Sequence, residues 1–154
     1  MRRGFTMIEL VFVIVIIGIL AAVALPRFTG ISDDAHVSKL QSFVGTLNRT
    51  VGPSMWSGVQ RNEPAVNGSV RSATATKYNT ITQGVQVETI PTELSTTSIS
   101  LSSCGAAGSA PAAGANTIAS ATIAGTTYNI GCIDSDLAAS PKFYLDDGTN
   151  IITQ

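Results

Sequence analysis

Residues 5–25 form a 21-residue apolar stretch broken by one charge, Glu9. About 20 residues suffice to cross the hydrocarbon layer of a bilayer, so the stretch is long enough to span one. β-Branched residues dominate residues 10–17. A lone spanning segment must still close its backbone hydrogen bonds internally, and this predicts a helix. Beyond Pro26 the pattern becomes amphipathic. Leu40, Phe43, Val44, Leu47 and Val51 recur at intervals of 3, 1, 3 and 4, the signature of one apolar helical face. Asp33 and Asp34 near the start of this part and Arg49 near its end suit the helix dipole. The simplest expectation is one helix over residues 5–51, about 70 Å long, stopped by Gly52-Pro53. Gly18 and Pro26 are its expected kink points, one through backbone freedom and the other through its missing N–H.

From residue 53 the pattern turns to strand and loop. Candidate strands are residues 80–88, 98–101, 119–123, 127–133, 142–145 and 150–153, with a hairpin turn at Ala124-Gly125-Thr126. Residues 103–116, rich in Ala, Gly and Ser, read as a mobile surface loop. Trp56, Tyr78, Tyr128, Phe143 and Tyr144 are the large side chains available to fill a core between sheet and helix. The predicted fold class is α+β: a long N-terminal helix, half membrane segment and half amphipathic, packed on an antiparallel β-sheet head.

Composition narrows the function classes. The chain has 154 residues, 12% of them charged, with a net charge of −1 and no concentrated basic patch, so nucleic-acid binding has no electrostatic support. Two cysteines and the lone His36 cannot assemble a four-ligand zinc site. Catalysis finds no foothold: there is no Gly-x-Ser-x-Gly elbow, and Asp33 with His36 on an exposed helix makes no pocket. No cofactor is expected. An ordinary secretory signal has its small-residue cleavage site after the apolar region. Here Gly4 precedes it, although Ala21-Ala22-Val23-Ala24 imitates a late site. Arg2 and Arg3 favour a cytoplasmic N-terminus.

The run Gly4-Phe5-Thr6-Met7-Ile8-Glu9-Leu10, followed by Pro26, resembles the processing and assembly motif of the type IV pilins and the related type II secretion pseudopilins. Ala24-Leu25-Pro26-Arg27-Phe28 with Asp33-Asp34-Ala35 looks most like the mannose-sensitive haemagglutinin-type pilins. The resemblance implies the pilin fold, a leader of residues 1–4 cut by a prepilin peptidase after Gly4, and N-methylation of Phe5. Residues 5–25 would form the membrane and filament-core helix, 26–52 its amphipathic continuation and 53–154 the head. It also implies that Glu9 contacts the N-terminal amine of a neighbouring subunit. A carboxylate in such a run is costly in lipid, which makes Glu9 a functional suspect, unless it lies close enough to the headgroups to be solvated. The implied partners are further copies and other pilins in a filament, the peptidase, which also methylates, an assembly ATPase, and an inner-membrane platform protein. The expected location is the bacterial inner membrane with the head periplasmic, then a surface pilus or a periplasmic pseudopilus. Two rivals remain: a secretion pseudopilin, and a single-pass anchored periplasmic binding or adhesion protein.

Cys104 and Cys132 are too far apart for a Cys-x-x-Cys redox pair. On the outer side of the membrane they are expected to form a disulfide, like the one bounding the C-terminal variable region of many type IV pilins, with a free buried pair as the alternative. Asp134, Asp136, Asp146 and Asp147 offer hard oxygen ligands, and major pseudopilins often bind calcium in a C-terminal loop. Their spacing fits no EF-hand and Asp-Gly is a common turn, so solvated turns are the expected reading and no metal site is assigned. His36 is expected to be a surface residue beside Asp33.

Overall fold

A computed structural model describes residues 4–28 and 30–153. Met1, Arg2, Arg3, Thr29 and Gln154 lie outside the described residues. The chain divides into two units, residues 1–35 and 36–154.

The first unit is built on helix α1, Met7–Phe28. Its segment Met7–Leu25 has a mean hydropathy of 3.1 and is long and apolar enough to cross a membrane. The large side chains of this segment are exposed around the whole helix. The helix runs through Gly18 and two residues past Pro26. The single helix expected over residues 5–51 is instead described as two elements here, because Gly30 adopts a turn and α2, Ile31–Thr46, starts after it.

In the second unit the face predicted from periodicity is the one that packs: Leu40, Phe43, Val44, Leu47 and Val51 are all buried. Gly52-Pro53 is not a stop. Residues Leu47–Val51 form one π turn, closed by the Gly52 N–H on the Leu47 carbonyl, and α3, Gly52–Asn62, follows directly. Pro53 sits at the junction of the π turn and α3, where the regular i to i−4 pairing is already interrupted. Gly52 is small for packing: a Cβ there would lie 3.1 Å from the Phe143 ring and 3.3 Å from Pro141. Met55 and Val59 extend the buried stripe along α3.

A short helix, α4 (Thr76–Asn79), leads into two sheets. β1 (Thr80–Thr82) and β2 (Ser98–Ser100) pair antiparallel with Ile81 opposite Ile99. The strand expected over 80–88 ends after three residues, because Gly84 takes a left-handed conformation (φ 78°) and the chain turns. There the Gln86 side chain accepts from the Thr82 N–H, in place of a neighbouring strand. The main sheet has the antiparallel order β3-β4-β5-β6: Thr117–Ile123, Thr126–Ile133, Lys142–Asp146 and Ile151–Thr153. Ala124 and Gly125 form the predicted hairpin turn, both with positive φ (50° and 83°), the geometry that follows the natural twist of paired strands.

Phe143 and Leu145 point from β5 into the core shared with α2 and α3, whereas Tyr144 and Asp146 alternate to the opposite face. There the 103–116 segment is not loose. The Tyr144 hydroxyl donates to the Ala115 carbonyl at 2.7 Å, the Gly114 N–H donates to Asp146 Oδ1, and the Gly105 N–H and carbonyl bond Cys132 and Asp134. The segment is a strap over the outer face of the sheet, and at its start Cys104 is joined in a buried disulfide to Cys132, which lies with Phe143 on the core face.

The π turn carries Asn48 to the edge of β5 beyond the end of β6. Its side-chain amide donates to the Phe143 carbonyl and accepts from the Phe143 N–H, both at 2.8 Å, as a further strand would. Asn48→Ala leaves both backbone groups unpaired and is expected to cost about 2–3 kcal/mol. Thermal unfolding of the detergent-solubilised chain should show the midpoint lowered by roughly 5–10 °C; an unchanged midpoint would show that the clamp carries no stability.

Candidate functional site

The candidate site lies at the N-terminal end of α1. Gly4, Phe5 and Thr6 precede the helix in irregular backbone. No heavy atom lies within 4 Å of where a Gly4 side chain would stand, and Phe5 is 79% exposed. The Gly4–Phe5 peptide bond is therefore open to attack from outside. Thr6 caps the helix. Its hydroxyl donates to Glu9 Oε2 at 2.8 Å and accepts from the Glu9 N–H at 3.3 Å, while the Thr6 N–H donates to the same carboxylate oxygen at 2.9 Å. This reciprocal arrangement is a capping box, in which side chains three residues apart satisfy two of the N–H groups that a helix start leaves bare. Sequence reasoning singled out Glu9 but missed Thr6, although the Thr-x-x-Glu spacing carries the signal. The carboxylate also lies at the positive end of the helix dipole.

The four candidate calcium ligands serve four other purposes. Asp134 accepts from the Arg71 and Ser135 N–H groups and from the Ser69 hydroxyl, and so ties residues 69–71 to the end of β4. Asp136 caps the Ala138 and Ala139 N–H groups. Asp147 accepts from Asn150 and Thr149, bonds that hold its carboxyl below the ordinary value. Asp146 is fully buried, with Oδ1 taking N–H donors from Gly114, Asn129 and Gly148, and Oδ2 bonded to no group. Among the described residues no three His, Cys, Asp or Glu side chains come together as a metal site.

His36 is not a bystander beside Asp33. Its Nδ1 lies 2.5 Å from Glu93 Oε1, and Lys39 Nζ reaches the same oxygen at 3.1 Å. Glu93 belongs to a short 3-10 turn, Thr92–Leu94, 57 residues further along the chain, so no local pattern announces the contact.

Comparison with known proteins bears on the N-terminal site first. The family model described as the prokaryotic N-terminal methylation motif matches residues 1–25. This segment is similar to the N-terminal segment of type IV fimbrial proteins. It is 35% identical over 63 residues to a type IV major fimbrial protein, FimA, of Dichelobacter nodosus, covering 41% of this chain and 39% of that one. Over 40 residues it is 52% identical to the type IV narrow pilus major component PilA5 of Thermus thermophilus, covering 26% and 34%. It is 34% identical over 73 residues to the fimbrial protein EcpB of Eikenella corrodens, covering 47% and 46%. The chain thus spans less than half the length of the pilins it matches, and none of the three is named as an enzyme. No solved structure matches it.

The second unit carries its own titratable contact. Burial pushes the Glu93 carboxyl up, but hydrogen bonds from His36, from its own backbone N–H and from Lys39 outweigh this and hold it at about 2. A carboxyl lower in the folded than in the unfolded state stabilises above its unfolded value, and the gain fades as pH falls through the folded one. Glu93→Gln should therefore cost on the order of 2 kcal/mol at pH 7. The difference from the parent should close as melts are taken from about pH 4.5 down towards 2; a gap independent of pH would rule out the ionic clasp.

Proposed function

We propose that this chain is a structural subunit of a type IV pilus, cut after Gly4 by a prepilin peptidase, N-methylated on Phe5 and assembled through α1. The observation that carries the reading is the capping box at the start of an exposed segment, Met7–Leu25, that is apolar apart from Glu9, beside an open Gly4–Phe5 bond. Residues 1–4 act as the leader and 5–25 as the membrane and filament-core helix. Residues 26–52 are its amphipathic continuation, which lends its buried face to a β-rich head over 53–154.

Glu9 acts in two stages. In the isolated subunit Thr6 satisfies its carboxylate, which lowers the cost of holding a charge in lipid. Cleavage then creates an α-amine on Phe5, and methylation of that amine leaves it cationic. When helices gather in a low-dielectric filament core, the amine of one copy attracts the Glu9 carboxylate of the next far more strongly than in water, and the pair sets axial register. The subunit waits in the inner membrane, N-terminus cytoplasmic and head periplasmic, until an assembly ATPase and a platform protein extract it alongside other pilins. The fimbrial names of its relatives favour a surface pilus over a secretion pseudopilus. Gly18 and Pro26 are the points where the helix yields during packing.

Mass spectrometry of the membrane-extracted protein should find Phe5 at the N-terminus with one added methyl group, whereas an intact Met1 would favour a merely anchored protein. Glu9→Ala should leave cleavage intact and abolish sheared filaments seen by electron microscopy. Filaments at the parent yield would rule out the register role.

A further inference from the structure

The face of α2 turned away from the core lines an open groove of about 550 Å³, whose walls include Ser38, Ser42, Gly45 and Arg49 on one side and Thr153 of the edge strand β6 on the other. Among the described residues, no carboxylate side chain lines it. Gly45 lies inside the helix, where glycine lowers helix stability relative to alanine. Nothing in the fold accounts for that cost, since no heavy atom stands within 4 Å of where its Cβ would be. The open space suits the close approach of a backbone from outside.

Charge indicates whose backbone that is. The ion pairs among the described residues join His36 and Lys39 to Glu93, and Arg71 to Asp134. Arg49 is exposed and takes part in none of them, nor do Asp33 and Asp34 in the first turn of α2. Among the described residues, the chain thus carries an acidic pair that joins no ion pair and a groove holding a cation with no carboxylate side chain beside it. We propose that the groove receives the first turn of α2 from a second copy, with Asp33 and Asp34 meeting Arg49 across the space left by Gly45. The two surfaces differ, so the contact is heterologous and repeats without closing, as a filament requires. The inference rests on the filament reading above and adds a lateral contact to the register set by Glu9.

The test uses the full-length protein in producing cells. Chains carrying Asp34→Cys and Arg49→Cys are coexpressed and treated with a short bifunctional thiol reagent, Cys104 and Cys132 being already joined. A covalent 34–49 dimer is expected, and Gly45→Leu should abolish it without lowering the thermal midpoint of the subunit, because the added side chain meets open space. Arg49→Glu should reduce sheared filament yield about tenfold, and adding Asp33→Lys with Asp34→Lys should restore it to within about twofold of the parent. Absence of the 34–49 dimer, or parental yields from both Gly45→Leu and Arg49→Glu, overturns the contact. Should the parent itself build no filaments, the pilus reading falls, and the 34–49 cross-link in membranes still decides whether the contact exists.

Discussion

An apolar helix with no protein against it must be covered, and a charge placed near its start must be answered. Every large side chain of Met7–Leu25 is exposed in the isolated chain. Lipid covers such a helix in a membrane, and neighbouring copies cover it in a fibre. The capping box makes the two situations compatible. It keeps Glu9 hydrogen-bonded where water is scarce, through groups that belong to the same chain. A carboxylate satisfied by a hydroxyl and a backbone N–H remains able to accept a stronger cationic partner when one arrives.

The second unit meets a different demand. Its helical stripe needs a surface to pack on, and the sheet supplies one through alternate residues of β4 and β5. The π turn reconciles the two. By inserting one wide turn between α2 and α3 it lets the buried stripe continue from Val51 to Met55 and Val59, and it brings Asn48 to the uncovered edge of β5. Gly52, which with Pro53 looks like a break on sequence grounds alone, is the residue that lets the chain pass close to Phe143 and Pro141.

Legibility followed the range of the interactions. The apolar stretch, the Leu40 to Val51 stripe and the Ala124-Gly125 turn were readable, because each is fixed by neighbours within a few residues. The Cys104–Cys132 bridge was also anticipated, though from cellular compartment and family likeness rather than geometry. Contacts across the fold were not readable. Nothing within α2 points to Glu93 as the partner of His36, or within the Asp134 region to Ser69 and Arg71. The strap was misread as mobile because its composition is that of a flexible linker; what fixes it is Tyr144 and Asp146 beneath it. Thr6 is a separate case, since its motif was present in the sequence and was eclipsed by the charge beside it.

The way the strap is fastened bears on how this surface can change over evolutionary time. Apart from the Cys104 disulfide, its attachments use main-chain atoms: the carbonyls of Ala112 and Ala115, and the amides of Gly105 and Gly114. The outward side chains between them, at Ala106, Ala107, Ser109 and Ala110, anchor nothing in the core. Different letters can occupy those places while the knots underneath stay tied, so the outermost coat of the head is free to drift in character while its scaffold is inherited unaltered.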